Sequence, residues 1–165
     1  MQQAIKQEGL QRNVRTSNRE DKLENVKRQM QKNEVSVLGV SEVRWKGQGE
    51  IRSVDYTVYY SGGERAERYV AIVMQKSTVT RVVKKIVCSD RIIALKLKAE
   101  PVSILKMQVY MPTSQYEDDE VEKMYDTIEE IVEEDGKVIQ TTSYWGTGIA
   151  LLEMSHIGTL LDHMD

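Results

Sequence analysis

The chain has no phenylalanine, one cysteine, two prolines and two histidines in 165 residues. Without Phe, a core has to be built from Val, Ile, Leu, Met and Tyr, and Met and Tyr, at 8 each, supply the bulk. The lone Cys88 excludes an intrachain disulfide and a cysteine-based zinc site. Two prolines exclude a long Pro-rich linker. No apolar run reaches the roughly 20 residues of a membrane-spanning helix, and no secretory hydrophobic core opens the chain. The expectation is an intracellular, soluble protein of nucleus or cytoplasm with no membrane partner. The sequence also lacks GxxxxGK[ST], GxGxxG and GxSxG. Those absences exclude a P-loop, a dinucleotide fingerprint and a nucleophile elbow. His156 and His163 both fall near the C-terminus, where a helical pattern makes them structural or solvated.

What is present is charge of both signs, unevenly placed. The net charge is −3, which does not announce a nucleic-acid binder. Locally, Lys76, Arg81, Lys84, Lys85, Arg91, Lys96 and Lys98 stand against Asp90 alone, and "EDDEVEKMYDTIEEIVEED" at 117–135 is strongly acidic. Two readings stay open: two solvated faces, or a basic groove that tracks phosphates, with Lys84, Lys85 and Arg91 on it and the acidic helix turned away.

Residues 1–11 are polar and aperiodic, which predicts a frayed start. "REDKLENVKRQMQKNEV" carries Leu23, Val26 and Met30 at helical spacing. "VSVLGVSEV" reads as a buried strand and "KGQGE" as a turn. "YTVYYSGGERAERYVAIVMQK" reads as two strands joined by a Gly-containing loop. "TRVVKKIVCSDRIIALKLKAE" is a strand, a Ser-Asp turn and a strand, and "PVSILKMQVYMP" a strand closed by Pro112. A helix over 117–134, a strand at "KVIQTT" and a C-terminal helix in "GIALLEMSHIGTLLDHM" follow. This order predicts an α/β fold, a mixed and mainly antiparallel β-sheet with flanking helices.

Three polar groups fall at element ends: Asn13 before the first helix, Glu42 ending "VLGVSEV", and Tyr110 ending "ILKMQVYMP". Sites assemble at strand ends, and a carboxylate there can hold a hard cation such as Mg²⁺. Taken singly, Asn13 can equally be a turn residue, Glu42 a solvated terminus and Tyr110 a core aromatic.

The stretch "NVRTSNREDKLENVKRQMQKNEVSVLGVSEVRWKGQGEIRSVDYTVYYSGG", with "YVAIVMQK", "CSDRIIALKLKAEPVSILKMQVYMPTS" and the acidic helix, resembles the N-terminal half of an endonuclease/exonuclease/phosphatase domain. Within that superfamily it is most similar to the endonuclease domains of non-LTR retrotransposons and the host proteins that resemble them. The likeness covers residues 12–136 and is most specific from Leu23 to Gly63. It implies a four-layer α/β sandwich and Mg²⁺-dependent phosphodiester hydrolysis, with a metal clamping phosphate oxygens and a positioned water attacking in line. By position, Asn13 then orients a metal-site or phosphate oxygen, Glu42 ligates Mg²⁺ and Tyr110 contacts the phosphate, with DNA as partner.

The chain departs from the family pattern at several points. Arg12 stands where the family has Trp, and Tyr69 where it has a small residue. After the acidic helix the family has Gly-Asp-Trp-Asn. Here the text is "KVIQTTSYWGTGI", so that aligning Trp145 puts Tyr144 for Asp and Gly146 for Asn. The later Ser-Asp-His motif has no counterpart, and His163 comes too early to serve. The resemblance thus implies a truncated domain over 12–147 with hydrolysis near background, followed by a divergent helical segment over 148–165. It also predicts a sheet face left uncovered, a route to self-association. The competing expectations are a non-enzymatic interaction or nucleic-acid-binding module and an active minimal Mg²⁺ endonuclease.

Overall fold

The computed structural model describes residues 14–64, 69–111, 118–135 and 138–144, and for residues 14–19, 42 and 138–144 the backbone alone. In chain order the elements are α1 (Val14–Lys32), β1 (Val37–Val43), β2 (Gln48–Arg52), β3 (Tyr56–Ser61), β4 (Tyr69–Gln75), α2 (Lys76–Val79), β5 (Val82–Ser89), β6 (Ile92–Leu97), β7 (Ile104–Tyr110), α3 (Asp118–Asp135) and β8 (Val138–Tyr144). One sheet has the order β1-β4-β3-β2 and the other β5-β6-β7-β8. All neighbours pair antiparallel except β7 and β8, which run parallel after the crossover through α3.

Alternation along the strands builds three apolar layers. On β4, Val70, Ile72 and Met74 face the second sheet, where they meet Ile93, Leu95 and Leu97 of β6 along with Tyr59 and Tyr110. The opposite face of β4 gives Ala71 and Val73 to α1, which contributes Leu23 and Met30. The opposite face of β6 gives Ile92 and Ala94 to α3, which contributes Met124 and Ile131, with Leu105, Met107 and Val109 of β7 between. The result is an α/β sandwich, as the resemblance implied, in four layers: α1, sheet, sheet, α3.

The expectation of an uncovered sheet face is corrected by this packing. Each inner face buries the other, and helices lie on both outer faces, because β6 and β4 are apolar on both sides. A second correction concerns "KGQGE". Gln48 and Gly49 open β2 rather than closing a turn, pairing with Ser61 and Tyr60. The short α2 was not foreseen either.

The helix ends follow local chemistry. α1 stops where Val35 N–H donates to the Met30 carbonyl (2.9 Å) with Glu34 left-handed at φ 54, a Schellman-type ending. Lys27 of α1 is buried, its stem against the sheet, its ammonium bonded to Glu24 (3.0 Å) and over the Tyr56 ring (5.6 Å). α3 opens with Asp118, Asp119 and Glu120, which suit the positive end of its dipole. Its last residue, Asp135, sits at the wrong pole and is held by two strand lysines, Lys84 and Lys96 (3.2 Å to Lys96).

That triad makes a pH prediction. The hydrogen bond from Lys84, then that from Lys96, holds the Asp135 carboxyl below the usual carboxylate range. A depressed folded pKa contributes stability that is present above the ordinary value near ~4 and lost as pH falls through the folded value. Asp135→Asn is therefore expected to melt below the parent at pH 7, with the gap closing as pH drops below ~4. Thermal melts of both proteins across that range check it, and a gap that stays constant down to pH 2 contradicts it.

Candidate functional site at one end of the sandwich

Four strands finish at one end of the sandwich in a way the pairing makes explicit. β1 reaches that end at Val43, opposite Tyr69, the first residue of β4. β3 reaches it at Ser61, opposite Val70. β5 reaches it at Ser89, opposite Ile92, and β7 reaches it at Tyr110, opposite Tyr144, the last residue of β8. Two polar links tie the sheets together there. Gln108 Nε2 donates to Ser41 Oγ at 2.9 Å, and Ser61 Oγ donates to the Ser89 carbonyl. β1 and β7 therefore end side by side.

Glu42 lies on β1 where the register shifts between Ser41 and Val43. It is the extra residue of a bulge, a distortion that re-aims side chains and concentrates near active sites. Tyr110 is buried at the edge of the inter-sheet core, and its N–H donates to the Arg91 carbonyl at 2.9 Å. Asn13 lies outside the described residues, one position before α1 begins. The structure thus brings the Glu42 and Tyr110 positions to one end.

The basic residues do not form one surface. Lys84 points to the α3 side and pairs with Asp135. Its neighbour Lys85 points the other way, over the Tyr59 ring at 5.8 Å and toward the Gly49 carbonyl. Arg91 sits in the turn beside Tyr110. The picture of an acidic helix turned away from a basic groove is corrected: α3 lies on these strands, and its Asp135 neutralises Lys84 and Lys96.

Tyr69, bulky at the start of β4, is accommodated by its neighbours. The ring is buried at 1% exposure beneath two glycines. A Cβ on Gly62 would stand 3.0 Å from the ring and 2.9 Å from the Gly47 carbonyl, and one on Gly63 would stand 3.7 Å from the Tyr69 hydroxyl. The bulk is taken up because the neighbouring loop carries none.

Partial burial, then Glu130 and Glu134, push the Cys88 thiol above its ordinary value. Among the described residues, the carboxylates at this end include the strand position Glu42 and Asp90 in the turn after β5, whose Oδ2 is 3.7 Å from where a Cβ on Gly63 would stand. Mg²⁺ commonly takes one or two protein carboxylates and completes its shell with water. Sequence reasoning missed the inter-sheet links of Ser41, Gln108, Ser61 and Ser89. For Ser41, Gln108 and Ser61 the signal is polarity at inner-face positions of largely apolar strands, while Ser89 takes part through its backbone carbonyl, which the sequence does not mark.

No protein-family model matches the chain. Craniofacial development protein 2 of Bos taurus is 33% identical over 122 residues, which are 73% of this chain and 20% of that protein. Craniofacial development protein 2 of Tragulus javanicus is likewise 33% identical over 122 residues, 73% of this chain and 21% of that protein. The chain spans about a fifth of the length of the curated relatives it matches. Across nearly three quarters of its residues, then, this chain is related in sequence to craniofacial development protein 2.

Proposed function

We propose that the chain is an endonuclease/exonuclease/phosphatase-like domain, allied to the endonuclease domains of non-LTR retrotransposons, that does not hydrolyse phosphodiesters by itself. The supporting observation is the register of β7 and β8. It sets Tyr144 opposite Tyr110 at the strand end where in-line hydrolysis calls for a carboxylate. A tyrosine there supplies no metal ligand of the kind Mg²⁺ prefers and no base at neutral pH. In this reading Glu42 would hold Mg²⁺, whose chemistry is to neutralise phosphate charge. Tyr110 and Asn13 would contact or orient a phosphate oxygen.

DNA contact belongs to the same reading, at Arg91 beside Tyr110. A flat response of duplex-DNA anisotropy to salt would remove that contact.

Plasmid nicking in Mg²⁺ tests the catalytic part. Supercoiled plasmid is expected to survive the parent protein and Glu42→Ala equally, at the level of a blank. Mg²⁺-dependent nicking by the parent that Glu42→Ala abolishes would show an active endonuclease and overturn the proposal.

A further inference from the structure

One buried amide does more than fill space between the sheets. Gln108 of β7 is 2% exposed and lies on the inner face, two residues before Tyr110. Its Nε2 donates to Ser41 Oγ, one residue before Glu42. Its Oε1 has no hydrogen-bond partner among the described residues and rests against Gly39 of β1. A Cβ built on Gly39 would overlap Oε1 and lie 2.7 Å from Cδ. Gly39 is thus a socket, and the Gln108 amide is what it receives. β1 tolerates a glycine in mid-strand, which weakens a strand by itself, because the amide occupies the missing side chain's place.

We propose that Gln108 is a positioning residue: seated over Gly39 and bonded to Ser41, it fixes where the β1 end bearing Glu42 stands relative to the β7 end bearing Tyr110. An apolar residue of similar size would hold the sheets apart equally well. It would not select one lateral position, because apolar packing has no direction, whereas the amide bonds at one place along β1. The bulge at Glu42 begins directly after the bonded Ser41. The lock therefore sits where the strand leaves regular pairing and its end would otherwise be least defined.

The inference rests on reading this end as the site. Its test uses neither metal nor DNA, so a protein that binds neither would remove that reading while leaving the lock to be judged separately. Three variants are compared with the parent: Gly39→Ala, Gln108→Ala, and the two combined. Gly39→Ala and Gln108→Ala are each expected to lower the melting temperature. The double variant is expected to melt above Gly39→Ala, since removing the amide makes room for the new methyl. A merely additive loss would overturn the fit.

Position is read from backbone amide resonances. In Gln108→Met, which keeps the volume and loses the bond, the amides of Glu42 and Tyr110 are expected to move. Those of Lys76 and Lys98, at the far ends of the two sheets, are expected to stay. Glu42 and Tyr110 amides that stay in place in a folded Gln108→Met would overturn the positioning role, whatever the melting temperatures show.

Discussion

Replacing Leu95 by alanine is expected to cost about 2–5 kcal/mol, a large share of the roughly 5–15 kcal/mol that holds a domain of ordinary stability together. Leu95 is fully buried in β6, paired with Lys85 on one side and Lys106 on the other. Its side chain belongs to the cluster that joins the sheets, with Val70, Ile72 and Met74 opposite. Both sheets depend on that cluster, so the cavity cannot close by letting one helix settle inward. The strands on both sides are held by their own ladders. The cost should therefore lie nearer the top of the range than for Met124→Ala, whose helix can shift. Val83→Ala is the control. Val83 is 57% exposed and is the extra residue of the bulge between Val82 and Lys84, so its truncation should fall within about 0.5 kcal/mol. Chemical denaturation of the three variants checks the order. A Leu95→Ala protein as stable as Val83→Ala would mean that the two sheets do not pack as described.

Much of this architecture is legible in the sequence, for a reason the strands make plain. Ile93, Leu95 and Leu97 alternate with Ala94 and Lys96, and the residues that alternate inward are those that meet β4. The acidic helix shows an apolar stripe of Val121, Met124, Tyr125, Ile128 and Ile131, and all of these but Tyr125, which is 44% exposed, are seated on the second sheet. β2 escaped notice because "QGEIR" is an exposed edge with little to bury. Its Gly49 lies against the Tyr60 hydroxyl, a fit no local pattern encodes. Lys27 reads as a solvated charge because helical spacing cannot reveal that Tyr56, far along the chain, will receive it.

The candidate site divides along the same line. That Glu42 and Tyr110 end strands follows from local pattern. That those strands end together depends on how one sheet lies on the other. Gly39 and Gln108, and Ser61 and Ser89, set that orientation through contacts between residues distant in the chain. Similarly, opposite charge was visible in 76–98 and 117–135. The placement of Asp135 against Lys84 was not, because it depends on which face of the sheet α3 crosses.

Tyr69 carries the second large prediction, in two substitutions of opposite sign. Its ring is buried among Gly62, Gly63 and the loop after β1, and its hydroxyl has no hydrogen-bond partner among the described residues. Truncation to alanine removes the ring and opens a cavity beneath that loop, at a cost of about 3–5 kcal/mol. Tyr69→Phe keeps the ring and removes only the orphan hydroxyl. An unpaired buried polar group costs about 1–3 kcal/mol, so the phenylalanine variant is expected to be more stable than the parent by up to that amount. The two results together separate packing from polarity. A Phe variant that loses stability would mean that a bound water or another group satisfies the hydroxyl. If alanine cost less than about 1 kcal/mol, the ring would not be filling the space that Gly62 and Gly63 leave. The expected pair of signs also explains how a bulky tyrosine is tolerated at this position. Tolerance comes from the two glycines across the loop, which leave room for the ring, and not from any bond the hydroxyl makes among the described residues.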